Sequence, residues 1–277
     1  MTDTSPEVRL DVPYGGGPRK NLCVDIYLPA GGGPHPALLC LHGGAWMHGT
    51  QRQYESWGPW LAARGYAVTA VDYRLSSDIS PAWPGVGEDV SLALEWTIAN
   101  ASSLNVDTRR MGAIGDSVGG LMAAMLALDP RTASRIRAVV GVYGVYDLPE
   151  WWRVRKSLNR NEDPVGRLMG RTYEEAREDC KIFSPVHRLR DMAGEPQARF
   201  FIVHGTQDTR VPHDQSARFL DALRDKGATY ESLFIPGAGH SWFTYATDHA
   251  ARRRVDQEPN VTVAPKLLRF LGESLSS

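Results

Sequence analysis

The sequence predicts one α/β domain whose mainly parallel sheet is covered by helices on both faces. Short apolar runs of strand length alternate with amphipathic segments of helix length along most of the chain, as in successive βαβ units. The chain has 277 residues, of which 42% are hydrophobic. That length and composition suit one large domain or two small ones, and we expect a single domain over residues 1–277.

The first half of the chain contains three predicted strands and two predicted helices. Residues 21–29 alternate apolar and polar side chains, which predicts an antiparallel strand at the edge of the sheet. The apolar run 36–44 predicts a buried strand, residues 54–66 a helix, and residues 67–75 a second buried strand. Residues 88–104 predict an amphipathic helix, because Glu and Asp begin it where the helix dipole favours them.

The same alternation continues through the second half of the chain. Strand-length apolar runs are again followed by segments with helical periodicity. The predicted strands are 109–117, 136–144, 199–205 and 229–236, and the predicted helices are 118–129, 216–227 and 264–275.

Residues 146–198 interrupt this alternation. They contain no long apolar strand, and they include Trp151, Trp152 and a short predicted helix at 173–183. A connection of this length inside a compact domain is typical of a functional element. We therefore expect a lid or cap insertion here, with an irregular surface excursion as the alternative.

Composition argues against several classes of protein. The net charge of −1 and the pI of about 6.7 do not provide the concentrated basic face of a nucleic-acid-binding protein. We find neither a signal peptide nor an apolar stretch long enough for a membrane span. The three cysteines are scattered, which favours reduced thiols in a cytoplasmic protein, and no Cys/His spacing resembles a zinc site. A homo-oligomer is compatible with the sequence.

The most informative motif lies between a predicted strand and a predicted helix. Gly115, Ser117 and Gly119 fit the G-x-S-x-G nucleophile elbow, in which a strained turn exposes a serine hydroxyl above the sheet. Side chains at the two glycine positions would clash in so tight a turn. A plain tight turn is the alternative, so the motif needs support from the rest of the chain. We interpret Asp116 as a structural neighbour of the serine.

A serine nucleophile needs a base and an orienting carboxylate. In α/β hydrolases these follow in the chain order Ser, acid, His. Asp208 lies 91 residues after Ser117, and His240 lies 32 residues after Asp208; each follows a predicted strand. Ligand sites in open α/β sheets lie at the edge formed by the carboxyl ends of the strands. Asp208 could instead hydrogen-bond a turn, His240 could be an ordinary loop residue, and His204 is a rival base.

A glycine-rich loop follows the strand at 36–44. The motif His-Gly-Gly-Ala-Trp occupies residues 42–46, where such hydrolases provide N–H donors for an oxyanion. The candidate donors are Gly44, Ala45 and Val118, the residue after the nucleophile. His42 is interpreted as shaping the loop. The alternative for the segment is a glycine-rich turn that binds no ligand.

Together these residues resemble the esterase/lipase group of the α/β-hydrolase superfamily. HGGAW (42–46), VDYRL (71–75) and GDSVGG (115–120) resemble hormone-sensitive-lipase-like esterases. HGTQDTRVP (204–212) and GAGHSW (237–242) are more similar to prolyl oligopeptidases and dienelactone hydrolases. The mixture is similar to bacterial feruloyl and acetyl esterases, and also to kynurenine formamidases.

The resemblance covers roughly residues 20–272 and implies the α/β-hydrolase fold. It departs from the lipase-like pattern at Ala45, where a third glycine is expected. A methyl group there still leaves the N–H donor but narrows the acyl side of the pocket. No β-propeller precedes the catalytic region, so a gated oligopeptidase is not expected.

The resemblance and the residues imply a serine carboxylesterase that cleaves small or aryl esters through an acyl-enzyme. Ser117 would be the nucleophile, His240 the base and Asp208 its orienting acid, with no metal or organic cofactor. An aromatic pocket is expected from Trp46, Trp151, Trp152 and Trp242. The alternatives are an amidase, formamidase or peptidase with the same triad, an acyl-transferring biosynthetic enzyme, and a non-catalytic member of the fold.

Overall fold

The computed structural model describes residues 5–15, 22–158, 162–244 and 254–276. Eight strands form one sheet in the order β1-β2-β4-β3-β5-β6-β7-β8. They are β1 (Glu7–Pro13), β2 (Cys23–Leu28), β3 (His35–Leu41), β4 (Ala67–Val71), β5 (Val106–Asp116), β6 (Ala138–Val142), β7 (Arg199–Gly205) and β8 (Tyr230–Ile235).

The sheet is parallel except at β2. This strand pairs antiparallel with β1 and with β4, whereas the neighbours from β4 through β8 all pair parallel. The carboxyl ends of β3 and β5 lie side by side, with Leu41 paired to Gly115. Loops that follow these two strands therefore meet at one edge of the sheet.

One prediction for the amino-terminal strands needs correction. The strand predicted at 21–29 is antiparallel, but it is not at the edge, because β1 covers it. Residues 24–28 of β2 are all buried. The strand at this edge of the sheet is β1, which the sequence analysis did not predict. Its apolar residues Val8 and Leu10 are about half exposed, so no buried run marks the strand.

Helices cover both faces of the sheet, as predicted. One hydrophobic core cluster joins the sheet to residues of α2, α3, α7 and α8, and a second joins it to residues of α1 and α9. Nowhere in the described chain does a helix combine the length and apolar character needed to cross a bilayer. The helices are α1 (Trp57–Ala62), α2 (Gly85–Ala99), α3 (Val118–Leu128), α4 (Leu148–Ser157), α5 (Pro164–Met169), α6 (Arg177–Ile182), α7 (Pro185–Asp191), α8 (Asp214–Asp225) and α9 (Asn260–Ser274).

The segment 146–198 contains four short helices, α4 to α7, and no strand within its described residues. The first begins after Asp147, whose carboxylate accepts a hydrogen bond from the N–H of Glu150 at 3.1 Å. The helix predicted at 173–183 is present as the shorter α6. Buried aromatic side chains, among them Trp151 and Phe183, join these helices to the main core cluster.

Candidate active site

Ser117 occupies a sharp turn between β5 and α3. Its backbone has φ 55° and ψ −122°, a conformation that costs a non-glycine residue about 1–3 kcal/mol. The turn is held on both sides: the N–H of Ser117 donates to the carbonyl oxygen of Val142 at 2.9 Å, and its own carbonyl accepts from Gly120 at 3.0 Å. Helix α3 begins at the next residue, so its positive dipole end faces the serine.

The two flanking glycines are required by close backbone packing. A Cβ atom on Gly115 would lie 2.1 Å from the carbonyl oxygen of Gly119. A Cβ atom on Gly119 would lie 2.0 Å from the carbonyl oxygen of Leu41, at the end of β3. No side chain fits at either position, which is the physical reason for the G-x-S-x-G spacing.

The structure brings the three predicted triad residues together. Nε2 of His240 lies 3.1 Å from Oγ of Ser117, and Nδ1 of His240 lies 2.5 Å from Oδ2 of Asp208. A carboxylate can only accept, so Nδ1 carries the proton and Nε2 accepts from the serine hydroxyl. All three side chains are largely buried, and the His240 side chain is 10% exposed.

Asp208 is held as a carboxylate. Its Oδ1 accepts from the N–H groups of Arg210 and Val211, each at 2.9 Å. Burial acts to raise the pKa of Asp208, but hydrogen bonds from His204 and His240 outweigh burial and hold the pKa well below its usual range. The acid therefore stays ionised wherever His240 can act as a base.

His204, the rival base, supports Asp208 instead. Its Nε2 lies 2.9 Å from the carbonyl oxygen of Val211, so Nε2 carries the proton, and Nδ1 accepts from Oγ of Ser216 at 2.7 Å. The same Nε2 is 3.3 Å from Oδ2 of Asp208. His204 is fully buried, and no hydrogen bond joins it to Ser117 within the described chain. The sequence analysis missed this role, although the spacing of His204 and Asp208 in HGTQD could have indicated it.

Tyr143 packs on the ring of His240, the candidate base, and was also missed. Its ring centre lies 4.5 Å from that of His240, and its hydroxyl accepts from the N–H of Phe243 at 3.0 Å. Tyr143 directly follows β6 with φ 39°. A tyrosine after a short buried strand carries no sequence signal for this contact.

The loop after β3 lies beside the nucleophile. A Cβ atom on Gly43 would be 3.1 Å from Cβ of Ser117. Gly44 has φ 122°, and Ala45 and Trp46 follow with φ 54° and 59°. Within the described chain, no hydrogen bond is found from the N–H groups of Gly44, Ala45 or Val118, which leaves the three predicted oxyanion donors without acceptors.

His42 shapes this loop, as its interpretation from the sequence proposed. Its ring stacks on Tyr73 with centroids 4.1 Å apart, and its Nδ1 lies 2.7 Å from the carbonyl oxygen of Gly43. The hydroxyl of Tyr73 donates to the carbonyl of His42 at 2.6 Å. Together these contacts fix the backbone where the loop leaves β3.

The four tryptophans predicted for the pocket occupy three different places. Trp46 is fully buried against Trp151, with ring centres 6.4 Å apart. Trp242 packs on Tyr143 near the catalytic histidine, with centroids 5.2 Å apart. Trp152 instead stacks on Tyr173 of the insertion, so its ring contacts neither the Trp46–Trp151 pair nor Trp242 within the described residues.

A cavity of about 230 Å³ lies between α2, α3 and the end of the insertion. It is lined by apolar residues such as Trp83, Met122 and Phe183, with Arg131 and Arg188 at its rim. None of the four tryptophans and no triad residue lines it. Among the described residues, no three His, Cys, Asp or Glu side chains gather as ligands of a metal ion would.

Comparison with known proteins gives a consistent picture. Residues 24–223 match the BD-FAE family model. The chain is 30% identical over 226 residues to Esterase LipC of Mycobacterium tuberculosis, covering 76% of this chain and 53% of LipC. It is also 30% identical over 259 residues to the isoprenylcysteine alpha-carbonyl methylesterase ICME of Arabidopsis thaliana, covering 86% of this chain and 57% of that protein. The chain thus spans about half the length of these curated relatives.

Solved structures share the fold over nearly the whole chain. Est2, a thermophilic esterase of Thermogutta terrifontis, superimposes with a TM-score of 0.73 at 25% identity, covering 97% of this chain and 92% of Est2. A carbohydrate esterase from gut microbiota superimposes with a TM-score of 0.77 at 22% identity, covering 100% and 99% of the two chains. The predicted fold class is confirmed.

Proposed function

Since the chain belongs to the BD-FAE family of the α/β-hydrolase superfamily, we propose that it hydrolyses carboxylic esters at Ser117. The observation that carries the proposal is the unbroken hydrogen-bonded relay from Ser117 through His240 to Asp208, with distances of 3.1 Å and 2.5 Å. The relatives and structural neighbours named above are esterases, which supports an ester as substrate.

In the acylation half, Oγ of Ser117 attacks the ester carbonyl carbon while its proton passes to Nε2 of His240. Asp208 stabilises the resulting imidazolium through the Nδ1 hydrogen bond. The carbonyl oxygen becomes an oxyanion beside the N–H groups of Gly44, Ala45 and Val118. Each well-aimed donor contributes about 3 kcal/mol to the transition state. The intermediate collapses, the C–O bond breaks, and His240 protonates the leaving alcohol.

Deacylation repeats the sequence with water as nucleophile. His240 takes a proton from water, the hydroxide oxygen attacks the acyl carbon, and a second oxyanion forms in the same place. When that intermediate collapses, His240 returns the proton to Oγ of Ser117 and the carboxylic acid leaves. The relay needs no group beyond the side chains named here and the backbone donors.

The substrate class follows from the surroundings of the loop after β3. We propose that the insertion at 146–198 forms a cap whose Trp151 packs on Trp46, next to the oxyanion donors. Trp242 packs on Tyr143, which also contacts the ring of His240. Large apolar rings near the loop after β3 and near His240 favour small or aryl esters over charged ones.

The test is hydrolysis of p-nitrophenyl esters, from acetate to decanoate, by the wild type and by Ser117→Ala. Ser103→Ala is the matched control, since its hydroxyl bonds only to the carbonyl of Asn100. We expect activity in the wild type and in the control, highest for short acyl chains, and none above background in Ser117→Ala. Cleavage of a matched anilide at a rate equal to the ester would favour an amidase. Full activity of Ser117→Ala would refute the proposal.

A further inference from the structure

Asp116 is a buried carboxylate at the centre of the site, although the triad mechanism does not use it. Its side chain is held between two loops. Oδ2 accepts from the hydroxyl of Thr244 at 3.1 Å, and the backbone N–H of Gly43 also donates to the carboxylate. Oδ1 is 3.4 Å from the hydroxyl of Tyr54. A Cβ atom on Gly43 would lie 2.7 Å from Oδ2, so the loop backbone sits directly on the carboxylate.

Gly43 and Thr244 belong to the two loops that must meet at the nucleophile. Gly43 directly precedes the oxyanion donor Gly44. Thr244 lies four residues after His240, in the segment that carries the base. Asp116 is itself the residue before Ser117. One carboxylate therefore connects the oxyanion loop and the histidine loop at the elbow.

Burial of the Asp116 carboxylate lowers the stability of the folded protein. Asp116 is only 1% exposed, and burial raises the pKa of its carboxyl to about 6. The polar and titratable groups that face it are Cys40 and His42 from β3 and its loop, Tyr54 from the turn before α1, Tyr143 after β6, and His240 and Thr244. Within the described residues none of these groups is a lysine or an arginine, so no permanent positive charge from that part of the chain compensates the burial.

A neutral amide of the same shape would avoid this cost. Asparagine keeps one oxygen for Gly43 and Thr244, and its NH₂ group would face the hydroxyl of Tyr54, which can accept. A buried charge that a neutral isostere could replace points to a role in activity, because functional sites commonly retain groups that lower stability.

We propose that Asp116 is a positioning residue, which ties the oxyanion loop through Gly43 to the histidine loop through Thr244 so that both reach Ser117 in register. The inference rests on the proposed function, since it concerns the same nucleophile. It assigns Asp116 no contact with substrate and no proton transfer. Its role is to keep the oxyanion donors and His240 within the narrow range of distances and angles that the reaction allows.

The test compares Asp116→Ala, Asp116→Asn and Thr244→Val with the wild type. We measure kcat and KM for a p-nitrophenyl ester, the rate at which paraoxon phosphorylates Ser117, and Tm. Asp25→Asn is the matched control, because Asp25 is another fully buried carboxylate whose pKa is raised, yet it contacts β1 and Arg52.

We expect Asp116→Ala to lower kcat about 100-fold with KM within about 3-fold of the wild type, since it misplaces groups that act on the transition state. Asp116→Asn should recover activity to within about tenfold, with a Tm at pH 7 equal to or above that of the wild type. Thr244→Val, which removes one arm of the tie, should lower kcat about tenfold. Asp25→Asn should leave kcat unchanged.

Two results would overturn the inference: a folded Asp116→Ala with wild-type kcat, or an Asp116→Asn as impaired as Asp116→Ala. If Asp116→Ala does not fold, wild-type kcat in Thr244→Val overturns it. If the wild type cleaves no ester but paraoxon labels Ser117, the ester proposal fails, and the labelling rates of the variants decide the role of Asp116. A wild type that paraoxon does not label at Ser117 contradicts both.

Discussion

The catalytic edge and the insertion are built by different means. The catalytic edge consists of the loops after β3, β5, β7 and β8, and backbone packing holds it: Ser117 has φ 55° in a turn where neither flanking glycine can carry a side chain. The insertion, residues 146–198, is held by side chains, such as Trp151 against Trp46. The difference predicts that substitutions in the two regions act mainly on different properties of the molecule.

The two regions should therefore respond differently to substitution. A change of functional group at the catalytic edge leaves the backbone packing intact, so it should lower kcat much more than Tm. Truncation of a buried ring in the insertion creates a cavity, so it should lower stability much more than kcat. Each of the following predictions tests one side of this contrast.

The largest effect is expected from Asp208→Asn at the catalytic edge. The amide N–H would face Nδ1 of His240, which forces the proton onto Nε2, where the base can no longer accept from Ser117. We expect kcat to fall about 10⁴-fold, with a circular-dichroism spectrum like that of the wild type. Asp214→Asn is the control, because that carboxylate is exposed at the start of α8. Loss of less than tenfold in Asp208→Asn would contradict the relay.

Trp151→Ala tests the insertion. The ring is 3% exposed, packs on Trp46, and donates from Nε1 to the carbonyl of Arg210 at 3.2 Å. We expect the free energy of unfolding to fall by about 3–5 kcal/mol, and kcat to change less than tenfold. The adjacent Trp152 is half-buried and stacks on Tyr173, so Trp152→Ala should cost only about 1 kcal/mol. Urea unfolding measures both, and equal costs would contradict the assignment of Trp151 as the anchor.

Asp116→Asn gives the effect that depends on pH. Because burial raises the folded-state pKa of Asp116 to about 6, the folded protein keeps this proton to higher pH than the unfolded chain, which releases it near pH 4. The wild type therefore loses stability as the pH rises through this interval. Asp116→Asn avoids the loss, so we expect it to gain up to about 3 kcal/mol over the wild type between pH 4 and pH 7. A constant difference across that interval would show that Asp116 does not titrate there.

The catalytic edge could be predicted from sequence because its constraints are local. The G-x-S-x-G motif is contiguous in the sequence, although Gly119 packs against Leu41 of β3, and the strand ends place Asp208 and His240 near the same edge. The contacts that support the triad could not be predicted. Thr244 reaches Asp116 across 128 positions of the chain, and Tyr143 meets His240 across a comparable separation. No local pattern encodes such pairs.

The fold, too, was predictable where its elements have a clear local pattern, and not where they depend on distant contacts. The parallel strands β3 to β8 were all predicted, because each contains an apolar run of strand length. The edge strand β1 was missed because neither of its faces is buried. Its apolar residues Val8 and Leu10 are half exposed, and the sequence shows no continuous apolar run there. The packing of the insertion depends on aromatic contacts with the loop after β3, which composition alone cannot specify.

The central claim is that Ser117 is a nucleophile activated by its own relay. Its most direct test is mass spectrometry of the protein after reaction with paraoxon, in the wild type and in Ser117→Ala. The phosphorus is attacked as an ester carbonyl carbon would be, p-nitrophenolate leaves, and the diethylphosphoryl group stays on the attacking oxygen. We predict one such group per chain, on the peptide that contains Ser117, and none in the variant. A group found on another residue, or the same labelling in Ser117→Ala, would contradict the account.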